Sequence, residues 1–257
     1  MTRRIAFINE KGGVGKTTLA VNVAAYLALK KGARVLLLDL DSQGHAAKTL
    51  GIDTRSLSPS MLHLLTRDDV SLDAATRPSP VPNLWVVPAT RELAEFPLLA
   101  AGLPDREHRL ANRLVDEDRY DFAVFDAPPS LGLVTTNVLL AAEEVVIPVA
   151  TTYLGLDGCA EMVTTVEQVA KRWHRPRLRV TQVVPTLYRK SQLADEVLER
   201  LRERFAERVA QPMHLNVAID EAQSHGKTIW EYAPWSRGAT ILQGVADAVE
   251  QAGHPPG

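Results

Sequence analysis

Two lysines bracket a glycine-rich run near the start of the chain: Lys11, Gly12, Gly13, Val14, Gly15, Lys16, Thr17 and Thr18. Glycines at this density let the backbone bend and bring its N–H groups close to a ligand. The N–H groups of Gly12 to Thr18 and the positive end of a helix starting near Lys16 both suit a nucleotide polyphosphate. Lys16 is placed to reach the β- and γ-phosphates, and the Thr17 hydroxyl to ligate Mg²⁺. The run departs from the usual pattern, G-x-x-x-x-G-K-[ST], because Glu10 stands where the first glycine belongs. Lys11 is a second departure, since an ordinary phosphate loop has no need of it. The bland alternative is a glycine turn with incidental lysines. Against it, strand, loop, Gly-Lys-Thr-Thr and helix all agree.

Three carboxylates complete the candidate chemistry. Asp39 and Asp41 close the apolar run 34–41, and Asp126 closes the run that begins at 121. In open parallel sheets, ligands sit beyond the carboxyl ends of the strands. Mg²⁺ in such sites takes one or two protein oxygens plus waters and phosphate. Asp126, a single acid ending an apolar run, suits holding a metal-bound water. Asp39 is expected to support the metal shell. Asp41, two residues on and entering a loop, is placed to orient the attacking water, in preference to Asp39. A helix cap or a solvated turn is the alternative for each.

Positioning these groups requires strands that end where the acids stand. Short Val/Ile/Leu runs at 4–9, 34–41, 84–88, 121–129, 144–150 and 179–185 read as strands buried on both faces. Helical stretches are expected at 16–32, stopped by Gly32, and near 90–101, 105–117, 131–142 and 154–173. The fold class is α/β: a doubly wound, mostly parallel sheet flanked by helices. The Pro/Ser-rich stretch 76–83 reads as a loop and 252–257 as a frayed tail. The whole of 1–257 reads as one ATPase domain. In 193–209, Leu193, Val197, Leu201, Phe205 and Val209 form one apolar stripe, which predicts a surface helix packed on the sheet.

A net charge of −2 gives no global signal for nucleic acid, so a DNA contact needs a local basic patch. The richest segment, 171–208, holds eleven Lys/Arg against five acids. Within it, Lys171, Arg172, Arg175, Arg177 and Arg179 are the least balanced by acids and are the candidate DNA contacts. The arginines of 200–208 interleave with glutamates and equally suit a solvated helix face. The one cysteine, Cys159, excludes an internal disulfide and paired-cysteine metal motifs, and reads as a buried, inert thiol. No apolar run is long enough to span a membrane, and the N-terminal run is too short for a signal peptide. A cytoplasmic location is expected.

At these residues the sequence resembles the ParA/Soj/MinD family of deviant-Walker ATPases, a subclass of the P-loop NTPases. "KGGVGKTT" resembles its phosphate loop. "DLDSQG" resembles its switch I motif D-x-D-P-Q-G, with Ser42 in place of proline. "DAPPSLG" resembles its Walker B and switch II segment, and "EAQSHGKTI" (221–229) its "EAPSHGKPI". The likeness runs from about residue 4 to about residue 245 and is closer to the partition ATPases than to MinD. It implies an ATPase using ATP and Mg²⁺ with slow intrinsic turnover. It also implies that Lys11 reaches across a dimer interface to the partner's ATP and that Asn216 contacts the adenine end. Positive charge in trans would act like an arginine finger and link hydrolysis to dimerisation. A homodimer, non-specific DNA on the nucleoid and a ParB-like activator are the implied partners.

Two departures bear on those partners. The family's "PRNVRLSEAPSHG" is here "HLNVAIDEAQSHG", so Leu215 and Ala218 replace arginines, one of them associated with DNA binding in relatives. With ten residues before Lys11, no room is left for the helix-turn-helix domain of larger plasmid partition ATPases. A MinD-like membrane ATPase is disfavoured because no Lys or Arg follows position 240. An iron-protein relative would need paired cysteines. A small-molecule ligase or synthase, and an orphan ATPase positioning a non-chromosomal cargo, stay open.

Overall fold

Runs of β-branched and aliphatic residues too short for helices pair side by side here, and the central ones are buried on both faces. The computed structural model describes residues 1–55 and 57–252. Its strands are β1 (Arg3–Phe7), β2 (Val35–Asp39), β3 (Arg77–Pro78), β4 (Leu84–Val87), β5 (Phe122–Asp126), β6 (Glu144–Ala150) and β7 (Arg179–Thr186). They form one sheet in the order β3-β4-β2-β5-β1-β6-β7. Every pairing is parallel except that of β3 with β4.

The helices are α1 (Lys16–Lys31), α2 (His45–Thr49), α3 (Met61–Thr66), α4 (Leu72–Ala75), α5 (Phe96–Leu99), α6 (Arg109–Arg113), α7 (Leu133–Ala141), α8 (Tyr153–Arg172), α9 (Gln192–Phe205), α10 (Val217–Ser224), α11 (Ile229–Tyr232) and α12 (Arg237–Ala252). Alternate strand residues face opposite layers. Ile5, Phe7, Val35, Leu37 and Val124 share a core with residues of α1, α10, α11 and α12. Ala6, Ile8, Leu36, Leu38 and Phe125 share the other with residues of α3, α6, α7, α8 and α9. The doubly wound α/β architecture read from the sequence is the one observed.

Several boundaries differ from the sequence reading. The stretch 76–83 is more than a loop, because β3 adds a short antiparallel edge strand; Pro78 fits there, where a missing donor is tolerated. The helix expected over 90–101 is a 3₁₀ turn, Arg91–Glu95, followed by α5. That expected over 105–117 shrinks to α6, preceded by a left-handed Asp105 (φ 51°) that no helix interior accepts. The 193–209 helix stops at Phe205 because Ala206 turns to φ 49°. Val197, Leu201 and Phe205 are buried as the stripe requires, while Leu193 is exposed. Of the tail, Ala252 closes α12 and 253–257 lie outside the described residues. Gly32 ends α1 as expected, in the left-handed region with its N–H donating to the Leu27 carbonyl.

Candidate nucleotide site

β1 occupies the middle of the sheet, so the loop that leaves it emerges between the ends of β5 and β6. Gly13 (φ 72°) and Gly15 (φ 87°) are left-handed, and Gly15 caps α1. A Cβ on Gly12 or Gly13 would meet nothing within 4 Å, so these two positions border open space rather than packing. Asn9 anchors the loop: its side chain donates to the Pro148 carbonyl (2.6 Å) and accepts from the Lys11 N–H (3.0 Å). Lys11 itself is exposed, whereas Lys16 is buried and its Nζ donates to the Lys11 carbonyl (3.0 Å). Burial holds the Lys16 ammonium below its usual value, an effect offset in part by Asp126 and Asp41.

The parallel register sets the carboxylates. Phe7 pairs with Asp126, and Asp126 with Asp39, so both acids end their strands level with the start of the loop. Both are fully buried. Asp39 Oδ1 accepts from the Asp41 N–H (3.2 Å), and Oδ2 from the N–H groups of Ala46 (3.1 Å) and Ala47 (3.3 Å). Neither oxygen of Asp126 has a hydrogen bond of normal geometry. Burial pushes Asp126 above the usual carboxylate range; the nearby Thr17 hydroxyl opposes the rise, Asp41 adds to it and Lys16 opposes it. Burial, then the Asp126 charge, likewise push Asp39 well up. Asp41 sits half-buried in the turn after β2, where Oδ1 accepts from the Gln43 N–H (3.0 Å).

A cleft of about 770 Å³ opens over these groups. Gly12, Gly13, Gly15, Lys16, Thr17, Thr18, Asp41 and Asn216 line it, so most of the expected site comes together. Asn216 is the N-cap of α10, with Oδ1 accepting from the Ala218 N–H (3.1 Å). Its packing needs Gly238, where a Cβ would lie 2.9 Å from the Asn216 side chain. Asp39 and Asp126 stand behind the cleft wall rather than on it. Leu187, Met213, His214, Ile219 and Gln223 also line the cleft, and no motif or spacing in the sequence marks them as site residues. For Gln223 a weaker signal exists: it replaces the proline of the family's "EAPSHG". For the others, Leu187, Met213 and His214 in irregular chain and Ile219 within α10, no spacing singles them out.

The basic segment divides. Lys171 and Arg172 end α8, and Arg179 begins β7, at the opposite end of the sheet from the cleft. Between them, Arg175 donates to the Ala142 carbonyl (3.3 Å) and Arg177 pairs with Glu143 (3.4 Å). Arg200 pairs with Glu196 (2.6 Å), as the solvated-face reading of α9 supposed. Arg189 and Lys190 are exposed in the loop after β7, on the cleft side. Cys159 is buried, and burial pushes its thiol up to about 12.

Comparison with known proteins places this geometry. The model of a family described as "AAA domain" matches residues 2–180. The chromosome-partitioning ATPase Soj of Thermus thermophilus is 42% identical, over 96% of this chain and 95% of that protein. The sporulation initiation inhibitor protein Soj of Bacillus subtilis is 38% identical, over 98% of this chain and 100% of that protein. Among solved structures, a cobyrinic acid a,c-diamide synthase from Mycobacterium smegmatis with bound ATP analogue and magnesium matches with TM-score 0.83. It is 30% identical and covers 98% of this chain and 95% of that one.

Proposed function

Because this chain belongs to the ParA/Soj family of partition ATPases, we propose that it works as an ATP-gated dimer whose assembly controls a grip on DNA. Its reaction is the hydrolysis of ATP, with Mg²⁺ as cofactor. The residues present fit both groups. The glycine-walled cleft and the N-terminus of α1 suit a polyphosphate. The unsatisfied, buried Asp126 carboxylate suits a cation held partly through water, with the Thr17 hydroxyl beside it. When bound, Mg²⁺ neutralises phosphate charge and so favours attack at phosphorus.

The chain's own groups divide the work. Gly12 to Thr18 offer backbone N–H groups to the phosphates. Lys16 exchanges the Lys11 carbonyl for phosphate oxygens. Its local environment contains two acids that keep it charged despite burial. Asp41 holds the attacking water with the oxygen its turn leaves free. Asp39 fixes the turn that carries Asp41 and gives the metal shell only indirect support, because three backbone N–H groups occupy its oxygens. Asn216 addresses the base.

The observation that carries the dimer is the chemistry of the cleft edge. Lys11 is exposed there. Leu131, Tyr153 and Leu154, in segments that follow β5 and β6, and Leu215 and Val217, on either side of Asn216, are exposed large apolar residues. A second copy would cover them and bring its own Lys11 to this chain's ATP. Light scattering with and without ATP tests this. A monomer at all nucleotide states, with Lys11→Ala hydrolysing normally, would sink it.

In this reading the dimer binds DNA without sequence preference through its basic residues, and a ParB-like partner stimulates hydrolysis and releases it. A nucleoid-associated, cytoplasmic protein follows from that DNA binding. The candidate DNA contacts remain Lys171, Arg172, Arg175, Arg177 and Arg179. Arg189 and Lys190 compete with them, being nearer the edge that ATP controls. The loss of arginine at Leu215 and Ala218 favours a second reading, an orphan ATPase positioning a non-chromosomal cargo. Sustained hydrolysis with no small-molecule acceptor separates both from synthase chemistry.

A further inference from the structure

The side chain of Gln223 crosses from the last turn of α10 to the first turn of α1. Its Nε2 donates to the Thr18 hydroxyl at 2.7 Å, between residues 205 positions apart. Both residues line the nucleotide cleft. A neighbouring tie runs the same way: Asn22, one turn after Thr18, accepts from the Ile229 N–H (3.0 Å) at Oδ1 and from the Trp230 indole (2.8 Å) at its carbonyl. These bonds dock 223–230 on α1, but only that of Gln223 touches a residue of the phosphate loop. In the family motif this position is proline, which has no side-chain donor.

We propose that Gln223 is a positioning residue for the nucleotide, on the reading that the cleft holds ATP. Because the amide donates, Thr18 Oγ1 is the acceptor and its own proton is free to point into the cleft. It can then donate to a phosphate oxygen. Without the amide, the hydroxyl is free to turn its proton back toward the preceding turn, as threonines in helices do toward the carbonyl four residues back, here that of Val14. The same bond fixes α10, whose N-cap is Asn216, relative to the loop. One side chain thereby sets the spacing between the phosphate end and the base end of the site. Thr18 Oγ1 is tied to α10, the helix that Asn216 caps, whereas Thr17 is the threonine beside Asp126. The Thr18 bond to phosphate is therefore made equally in the ground and transition states, and acts on KM rather than kcat.

The test is steady-state ATP hydrolysis by the full chain carrying Gln223→Ala, Gln223→Met, Thr18→Val and the Gln223→Ala/Thr18→Val pair. Gln223→Met keeps the bulk and controls for folding, checked by circular dichroism. Loss of one neutral hydrogen bond should raise KM for ATP roughly fivefold in both Gln223 variants, with kcat within about twofold of wild type. The double variant should be no worse than Thr18→Val alone, since the two residues act as one unit. An unchanged KM in Gln223→Met, a fall in kcat instead, or additive effects in the double variant would overturn the proposal. Lys16→Ala, measured for ATP binding by calorimetry, separates the two readings. If it binds ATP normally the site assignment fails; if it does not and Gln223→Met behaves as wild type, only the positioning role fails.

Discussion

The carboxylate of Asp39 stands beside that of Asp126 across paired strands, both wholly buried, with only Asp39 hydrogen-bonded. The backbone N–H groups of Asp41, Ala46 and Ala47 occupy Asp39, while Asp126 keeps its lone pairs. Two like charges side by side in a dry site raise each other's pKa. A divalent cation nearby relieves that repulsion. The pair thus divides into a group that shapes the loop and a group whose oxygens have no hydrogen-bond partner.

Substitutions should separate the two roles. Asp39→Ala leaves three buried N–H groups without their acceptor and should cost on the order of 3 kcal/mol of stability in urea unfolding. Asp126→Asn removes a like charge from beside Asp39. It should leave unfolding of the nucleotide-free protein unchanged or shift it to higher urea, while abolishing Mg²⁺-dependent hydrolysis. Equal destabilisation by the two would contradict the division.

Lys11 and Lys16 should fail in different ways. Lys16→Ala should lose ATP binding in calorimetry, and with it dimerisation. Lys11→Ala should bind ATP within a few-fold of wild type, yet lose roughly a thousandfold or more in hydrolysis, the scale of a missing arginine finger. A Lys11→Ala variant with normal turnover would return this residue to the status of a solvated loop lysine.

Asp41→Ala should trap an ATP-bound dimer. Its turn is held by Oδ1 and by the Gly44 N–H on its carbonyl (2.8 Å), so the alanine chain keeps part of the turn and loses the group that orients water. Dimer persisting in ATP for hours by size exclusion, with little phosphate release, is the expected outcome. Normal release would assign the water to another residue.

Two basic patches compete for DNA, and salt dependence distinguishes them. Charge reversal at Arg189 and Lys190 is expected to weaken ATP-dependent DNA binding and to reduce the slope of log K against log salt by about one unit for each phosphate no longer neutralised. Reversal at Lys171, Arg172 and Arg179, at the far end of the sheet, should do the same only if that face is the one used. A gel shift indifferent to both reversals would favour a non-nucleoid cargo.

Much of the site was legible because it is local. The loop from Lys11 to Thr18 is contiguous, and its glycines, lysines and threonines declare their geometry through backbone freedom and charge. Asp126 stood out because an apolar run closed by a single acid puts that acid at a strand end in a parallel sheet. Asp39 was harder, since a buried acid can ligate or cap, and the choice depends on N–H groups several residues later. Gln223 was visible only as a departure from a motif. Its partner lies at the other end of the chain, and periodicity says nothing about such pairs. The helices α10 to α12 escaped for a related reason. Each has a local cap, at Asn216, Thr228 and Ser236, but helices with such caps are placed by docking onto α1, through Asn22 and the buried stripe Ile241, Leu242, Val245 and Val249.

By itself, then, the sequence determined the α/β class, the sheet's burial and the glycine-rich turn between Lys11 and Lys16, because hydrophobic period and glycine placement act over a few residues. Tertiary structure alone decided three further points. Asp39 and Asp126 stand side by side, Gln223 reaches Thr18, and the 171–179 patch falls at the end of the sheet away from the nucleotide. Each depends on strand register and crossover direction, and those are set by the packing of the whole sheet against its two helical layers.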